Sequence, residues 1–195
     1  MNTLVQSYYQ LHNAIFPRLQ HFDGLAPLAM RLFLVPVFWM AGTHKIAGMG
    51  QTIDWFGNPD WGLGLPFPEI LAPLAAYTEA IGALMLLLGL ATRWISIPLM
   101  VTMLVAIFSV HWEFGWAAIA DSGSQEVAVR LGTAKDILQE HGNYSWITER
   151  GNLVILNNGV EFAVTYLVML LALLFTGGGR YVSLDYYLSR LLPAR

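Results

Sequence analysis

The sequence predicts an all-α polytopic membrane protein: a four-helix transmembrane bundle with an N-terminal amphipathic helix and an extra-membrane helix in the third loop. The chain has 195 residues, of which 56% are hydrophobic and only 12% are charged. Its mean hydropathy of +0.53 is far above that of a soluble domain of this length. Four apolar segments are spread evenly along the chain, so we expect one membrane domain and not two.

Each predicted span is long enough to cross the bilayer, because a hydrocarbon layer of about 30 Å requires about 20 helical residues. The spans are expected at residues 25–46, 67–91, 95–112 and 153–176. The turn at 91–94 is very short, so spans two and three should be antiparallel neighbours.

Outside the spans we expect an N-terminal amphipathic segment, a first loop, an outer loop with one amphipathic helix, and a short tail. These are residues 1–24, 48–66, 114–152 (helix at 124–141) and 188–195. The N-terminal segment repeats apolar side chains at helical spacing without the basic start and long apolar core of a secretory signal. It is expected to lie on the membrane surface, broken by Pro17 and Gly24.

The composition excludes several classes of function. The chain contains no cysteine, which rules out disulfides, thiolate metal sites, iron–sulfur clusters and thiol redox chemistry. A net charge of −3 without a basic run gives no electrostatic basis for binding nucleic acid. The sequence predicts no metal site.

The distribution of basic residues predicts the topology. With four spans, both termini and the 91–94 turn share one side. That side carries Arg18, Arg93, Arg180, Arg190 and Arg195, whereas the other carries Lys45, Arg130, Lys135 and Arg150. The positive-inside rule then places both termini in the cytoplasm and both long loops outside.

The second span contains a carboxylate, Glu79, near its middle. A carboxylate at membrane depth costs a few kcal/mol or more unless it is paired, hydrated or protonated, so a partner is expected. The candidate cations are Lys45 and Arg31, with Glu161 as a coupled carboxylate. The alternative is that Glu79 is a structural residue that fixes the packing of the helices, and that Lys45 only extends to the interface.

Counting residues along the spans predicts a series of polar side chains descending from the outer face. His44, Lys45 and His111 should lie at its mouth, Glu161 with Asn157 and Asn158 below them, and Glu79 deepest. His111 is either an interfacial histidine or a donor to a ligand oxygen. A haem held between His44 and His111 is disfavoured, because one histidine at each helix end is weak support for a ligand pair.

Several segments together resemble the DoxX family of small four-span membrane proteins. They are RLFLVPVFWMAGTHK in the first span, TEAIGALMLLLGLATR in the second, the His111 end of the third, and NNGVEFAVTYL followed by GGGRYVSLD at the fourth. The resemblance covers about residues 27–187, which makes 25–187 the DoxX-like domain. The chain differs from a minimal member in its N-terminal segment and its long 114–152 loop.

The resemblance implies a multi-pass protein of the bacterial inner (cytoplasmic) membrane that is linked to an oxidoreductase. The family takes its name from a membrane subunit of thiosulfate:quinone oxidoreductase. We therefore expect a quinone or small oxidised compound as ligand and a soluble or membrane oxidoreductase subunit as partner. Whether the chain is itself catalytic, and whether it forms a homo-oligomer, is left open.

The candidate catalytic residues are Glu79, Glu161, Lys45 and His111. Lys45 and His111 would donate hydrogen bonds to the ligand, with Arg31 and His44 as further cofactor contacts, and Glu79 or Glu161 would relay protons. The second hypothesis is a non-enzymatic scaffold whose outer-loop helix docks a partner. A transporter of small solutes is a third, disfavoured because no inverted repeat is detectable.

Overall fold

The computed structural model describes residues 3–191, and its main elements are helices. They are α1 (Thr3–Leu19), α2 (Leu25–Ala47), α3 (Met49–Gly57), α4 (Pro68–Leu88), α5 (Thr92–Ala106), α6 (Gln125–His141), α7 (Tyr144–Ile147), α8 (Glu161–Thr176) and α9 (Leu184–Leu191). The predicted all-α class is confirmed. The end of the predicted tail, residues 192–195 with Arg195, lies outside the described residues, as do residues 1 and 2.

Three helical segments within residues 3–191 are long and apolar enough to cross a membrane. They are Leu25–Ala47, Pro68–Leu88 and Thr92–Phe114, which correspond to the first three predicted spans. The third consists of α5, a π-helical turn (Ile107–His111) and a short 3₁₀ turn (Trp112–Phe114). The chain is thus a multi-pass membrane protein, and a fourth span stays a prediction.

Helix α8 is apolar but begins later than the sequence predicts. It starts at Glu161 and not at Leu153, so it has 16 residues and a length of about 24 Å, short of the roughly 30 Å layer. The reason is that the segment before it pairs with the 115–118 backbone: the N–H groups of Gly159 and Val160 donate to the carbonyls of Ala117 and Gly115. These pairings, together with the left-handed backbone of Asn158 (φ 62°), hold the segment outside the helix.

Three further expectations about local structure are wrong. Helix α1 continues through Pro17 to Leu19, so the one backbone hydrogen bond that the proline removes does not end the helix there. The predicted 48–66 loop contains α3, whose Phe56 is buried. The predicted tail contains the second half of helix α9.

The chain forms two compact units, one of residues 3–102 with 166–191 and one of residues 103–165. In the first unit, α2 packs along α4 and α3 packs against the start of α4. Helix α2 contributes a buried face whose members are three or four residues apart: Arg31, Leu34, Phe38 and Gly42. Helix α4 contributes mainly alanines to its own buried face, so the backbones of the two helices can come close.

In the second unit, the segment after the third span pairs with the segment before α8. Ile119 and Leu156 form an isolated antiparallel bridge, and the Asn157 side chain donates to the carbonyls of Phe114 and Ala117. Helix α6 follows the predicted 124–141 helix closely and contains no buried residue.

Candidate functional site

The candidate site lies where α2 and α4 are in direct backbone contact. A methyl group on Gly42 would lie 2.5 Å from the backbone nitrogen of Ala80 and 2.8 Å from the carbonyl oxygen of Ala76. Real side chains do not approach backbone atoms this closely, so only glycine fits this position in α2. Lys45 comes about one turn after Gly42, and Glu79 lies between the two alanines. The close approach of the helices therefore brings the two side chains within reach of each other.

Lys45 and Glu79 form an ion pair inside the first unit. The Lys45 Nζ donates to Glu79 Oε2 at 2.5 Å. The Glu79 side chain is only 6% exposed, whereas Lys45 retains 24%. Of the two cations that the sequence offered for Glu79, the structure therefore selects Lys45.

The surroundings of the pair give it chemical properties that a surface pair lacks. The α2 and α4 faces beside it are formed by fully buried apolar residues, among them Phe38, Ala76 and Ala83. Charges in such surroundings interact more strongly than in water. The pair offers an ammonium group with further N–H donors beside a carboxylate that can accept a proton.

Arg31, the other candidate cation, has different partners. Its guanidinium donates to the carbonyls of Leu86 and Leu87 at the end of α4 and to those of Tyr181 and Val182. The side chain is fully buried. Arg31 thus links the end of α4 to the 181–182 segment through backbone carbonyls, and its predicted contact with a cofactor stays a prediction.

The GGGRYVSLD segment forms a clasp around the α4–α5 turn. Asp185 accepts from the backbone N–H groups of Ala91 and Thr92 at 2.6 and 2.8 Å, where α5 begins and a carboxylate is favourable. Ser183 donates to the carbonyl of Gly89 at 3.1 Å. Asp185 and Ser183 were not among the predicted site residues, although the motif that contains them was recognised.

Gly89 must be glycine for two reasons. Its φ of 61° is in the left-handed region, and a methyl group there would lie 2.6 Å from Arg31 Nη1. At Gly82 of α4, an added methyl group would meet the Leu99 side chain of α5 at 2.9 Å. This contact places spans two and three side by side, as predicted.

In the second unit, His111 closes the π-helical turn at the end of the third span. Its Nδ1 lies 2.8 Å from the carbonyl oxygen of Asn158. A carbonyl only accepts, so Nδ1 carries the proton and Nε2 is left to accept one. Its predicted role toward a ligand stays a prediction.

Glu161 begins α8, and its Oε2 accepts the N–H of Ala118 at 3.0 Å. This bond helps to hold the 115–118 segment against the start of the helix. The coupling of Glu161 to Glu79 stays a prediction. His44 is exposed on α2, and its cofactor role also stays a prediction.

Comparison with known proteins agrees with the resemblance. Residues 26–112 match the model of the DoxX family. The Bacillus subtilis (strain 168) protein named "Putative oxidoreductase CatD" is 33% identical over 86 residues, which make up 44% of this chain and 60% of that protein. The matched part therefore spans about three fifths of that relative's length.

No solved structure matches the chain. The family match ends at residue 112, so the segments after the third span lie outside it. The matched range does contain Gly42, Lys45, Glu79 and the α4–α5 turn. Over residues 26–112, which hold the first three spans, the resemblance to the DoxX family is confirmed.

Proposed function

We propose that this multi-pass membrane protein is a subunit of an oxidoreductase system that binds a quinone headgroup, or another small oxidised compound, at the Lys45–Glu79 pair. The observation that carries the proposal is the pair itself, an ammonium and a nearly buried carboxylate joined within apolar spans. Ionisable residues in spans are rare and are usually retained for proton or ligand pathways.

The geometry supports hydrogen bonding to a carbonyl oxygen. Lys45 uses one N–H donor on Glu79, and its remaining exposure leaves the other donors open to a ligand. Glu79 is next to that position and can hold the proton that a reduced carbonyl oxygen takes up. In this proposal the chain binds the ligand and carries protons, while a partner oxidoreductase supplies the electrons.

The comparisons support an oxidoreductase link. The relative from Bacillus subtilis has oxidoreductase in its name, and the family match covers the part of this chain that contains the pair. We propose His111 as a further hydrogen-bond donor to the ligand and Glu161 as a proton relay. Both residues belong to the second unit.

Binding of a short-chain benzoquinone to the purified protein in nanodiscs tests the proposal. Glu79→Gln and Lys45→Met should each weaken binding about tenfold or more, since a hydrogen bond to a charged group contributes about 1.5–3 kcal/mol. Glu140→Gln and Lys135→Met are matched controls on helix α6 and should bind like the unaltered protein. Absence of binding, or equal binding by the unaltered protein and all four variants, would refute the proposal.

A scaffold role is the second candidate, favoured by the exposure of α6. This helix contains no buried residue, and its Val129 and Ile137 are 63% and 56% exposed. Deleting residues 124–141 should then abolish co-purification of a membrane partner, while Glu79→Gln changes stability only. Retention of the partner by the deleted protein would exclude this role for α6.

A further inference from the structure

A cavity of about 410 Å³ lies where the α4–α5 turn meets the end of α8 and helix α9. All of its lining residues belong to the first unit. They include Arg93, Trp94, Thr176, Gly177, Tyr186 and Ser189. This cavity is separate in sequence from the Lys45–Glu79 pair and contributes nothing to the proposed function.

The charged residues that line the cavity are Arg93 and Asp185. Arg93 lies against Gly177, whose added methyl group would be 3.1 Å from the arginine Nε, and no carboxylate within residues 3–191 pairs with its guanidinium. Asp185 also lines the wall, but both of its oxygens accept backbone N–H groups. A second guanidinium, that of Arg190, stacks on the Tyr186 ring at 4.4 Å.

A hydrogen-bond donor accompanies the charge of Arg93. Arg93 and Tyr186 both line the cavity, so a guanidinium and a phenolic hydroxyl are available there. The Ser189 hydroxyl donates to the carbonyl of Tyr186 at 2.9 Å and can only accept a further hydrogen bond. A guanidinium with a neighbouring hydroxyl suits the oxygens of a phosphate group, which it can bind through two parallel hydrogen bonds.

The position of the cavity indicates where such a phosphate comes from. Both α4 and the segment that begins with α5 are long enough to span the membrane, so the turn between them lies at a membrane boundary. Trp94 borders the cavity and is 76% exposed, as is typical of tryptophans at the level of the headgroups. Basic pockets between span ends bind acidic headgroups.

We infer that this cavity binds the phosphate group of an acidic phospholipid, held by Arg93 and the hydroxyl of Tyr186. The lipid would fill the space between the α4–α5 turn and α9. The bound lipid would anchor the GGGRYVSLD segment at the membrane surface and so stabilise the end of the spans.

Native mass spectrometry of the full-length protein tests this inference. The protein is released from detergent with phosphatidylglycerol or with phosphatidylcholine of the same acyl chains, and retained lipid is counted. Phosphatidylglycerol should be preferred, and Arg93→Gln should lower this preference about fivefold, the effect of one basic residue near a lipid surface. Arg93→Lys retains the charge and should keep most of the preference.

Arg130→Gln is the matched control, since Arg130 is an exposed arginine on helix α6. Its preference should equal that of the unaltered protein. Equal retention of the two lipids, or the same loss in Arg93→Gln and Arg130→Gln, would overturn the inference. Inorganic phosphate at millimolar concentration is added in a separate arm. If it displaces phosphatidylglycerol, the lipid source is overturned, whereas resistance to it supports the lipid.

Discussion

Replacing Gly42 with alanine places a methyl group directly at the contact between α2 and α4. The added carbon would lie 2.5 Å from the Ala80 nitrogen, 2.8 Å from the Ala76 oxygen and 3.0 Å from the Ala80 Cα. All three neighbours are backbone atoms of one helix. They cannot rotate away as a side chain can, so the two helices must separate.

The size of the effect follows from these distances. An ordinary carbon contact is about 3.5 Å or more, so the backbones must move apart by about 1 Å. Overpacking of this kind costs typically about 1–3 kcal/mol, and we expect the upper half of that range because the obstruction is backbone. Lys45 follows Gly42 by about one turn, so the separation also stretches its ion pair with Glu79.

The assay is unfolding of the purified protein in mixed micelles at increasing mole fraction of sodium dodecyl sulfate, followed by circular dichroism. The free energy of unfolding should fall by about 2–3 kcal/mol in Gly42→Ala. Gly50→Ala is the matched control, since a methyl group on Gly50 in α3 would meet nothing within 4 Å. It should be neutral or stabilising by up to about 1 kcal/mol, because alanine favours a helix more than glycine does.

Equal stability of the two alanine variants would contradict the close backbone contact at Gly42. A destabilised Gly42→Ala in which Glu79→Gln costs as much as in the unaltered protein would contradict the effect of this contact on the ion pair. In the second case the contact would be real, but it would not govern the ion pair.

Two further variant sets test the ion pair and the clasp. Lys45→Met should destabilise the fold by about 3 kcal/mol, because it leaves the Glu79 carboxylate buried without its cation. Adding Glu79→Gln to this variant should restore at least about 1 kcal/mol of stability. The same unfolding assay measures both variants, and strictly additive effects would contradict the pairing. Asp185→Asn should cost about 1–2 kcal/mol because the helix that it caps loses a charged acceptor. Asp136→Asn on exposed α6 should change nothing, and equal thermal stability of the two asparagine variants would exclude the capping role.

The spans could be predicted because a bilayer imposes a simple rule on the chain. A helix must present about 20 mostly apolar residues to cross it, and α2, α4 and the segment beginning with α5 satisfy that rule in sequence. Helix α6 could be predicted for a similar reason, since its apolar residues repeat at helical spacing between charges. Both patterns are local and do not depend on distant residues.

The start of α8 could not be predicted because its apolar character extends further than its helix. Residues 153–156 are as apolar as the span that follows, and the polar Asn157 and Asn158 suit a face turned into a bundle. What holds this stretch outside the helix is hydrogen bonding to residues 115–118, about 40 positions earlier. The role of Arg31 was missed for the same reason, since two of its carbonyl partners lie about 150 residues away.

The sequence by itself determined that Glu79 lies within an apolar span and needs a partner, because desolvating a carboxylate costs free energy whatever the fold. It did not determine which cation meets it. That choice depends on the distance between two helix backbones, which Gly42 and the alanines of α4 set. Only the tertiary structure could show that this contact brings Lys45 to Glu79 and leaves Arg31 to bind the carbonyls at the end of α4.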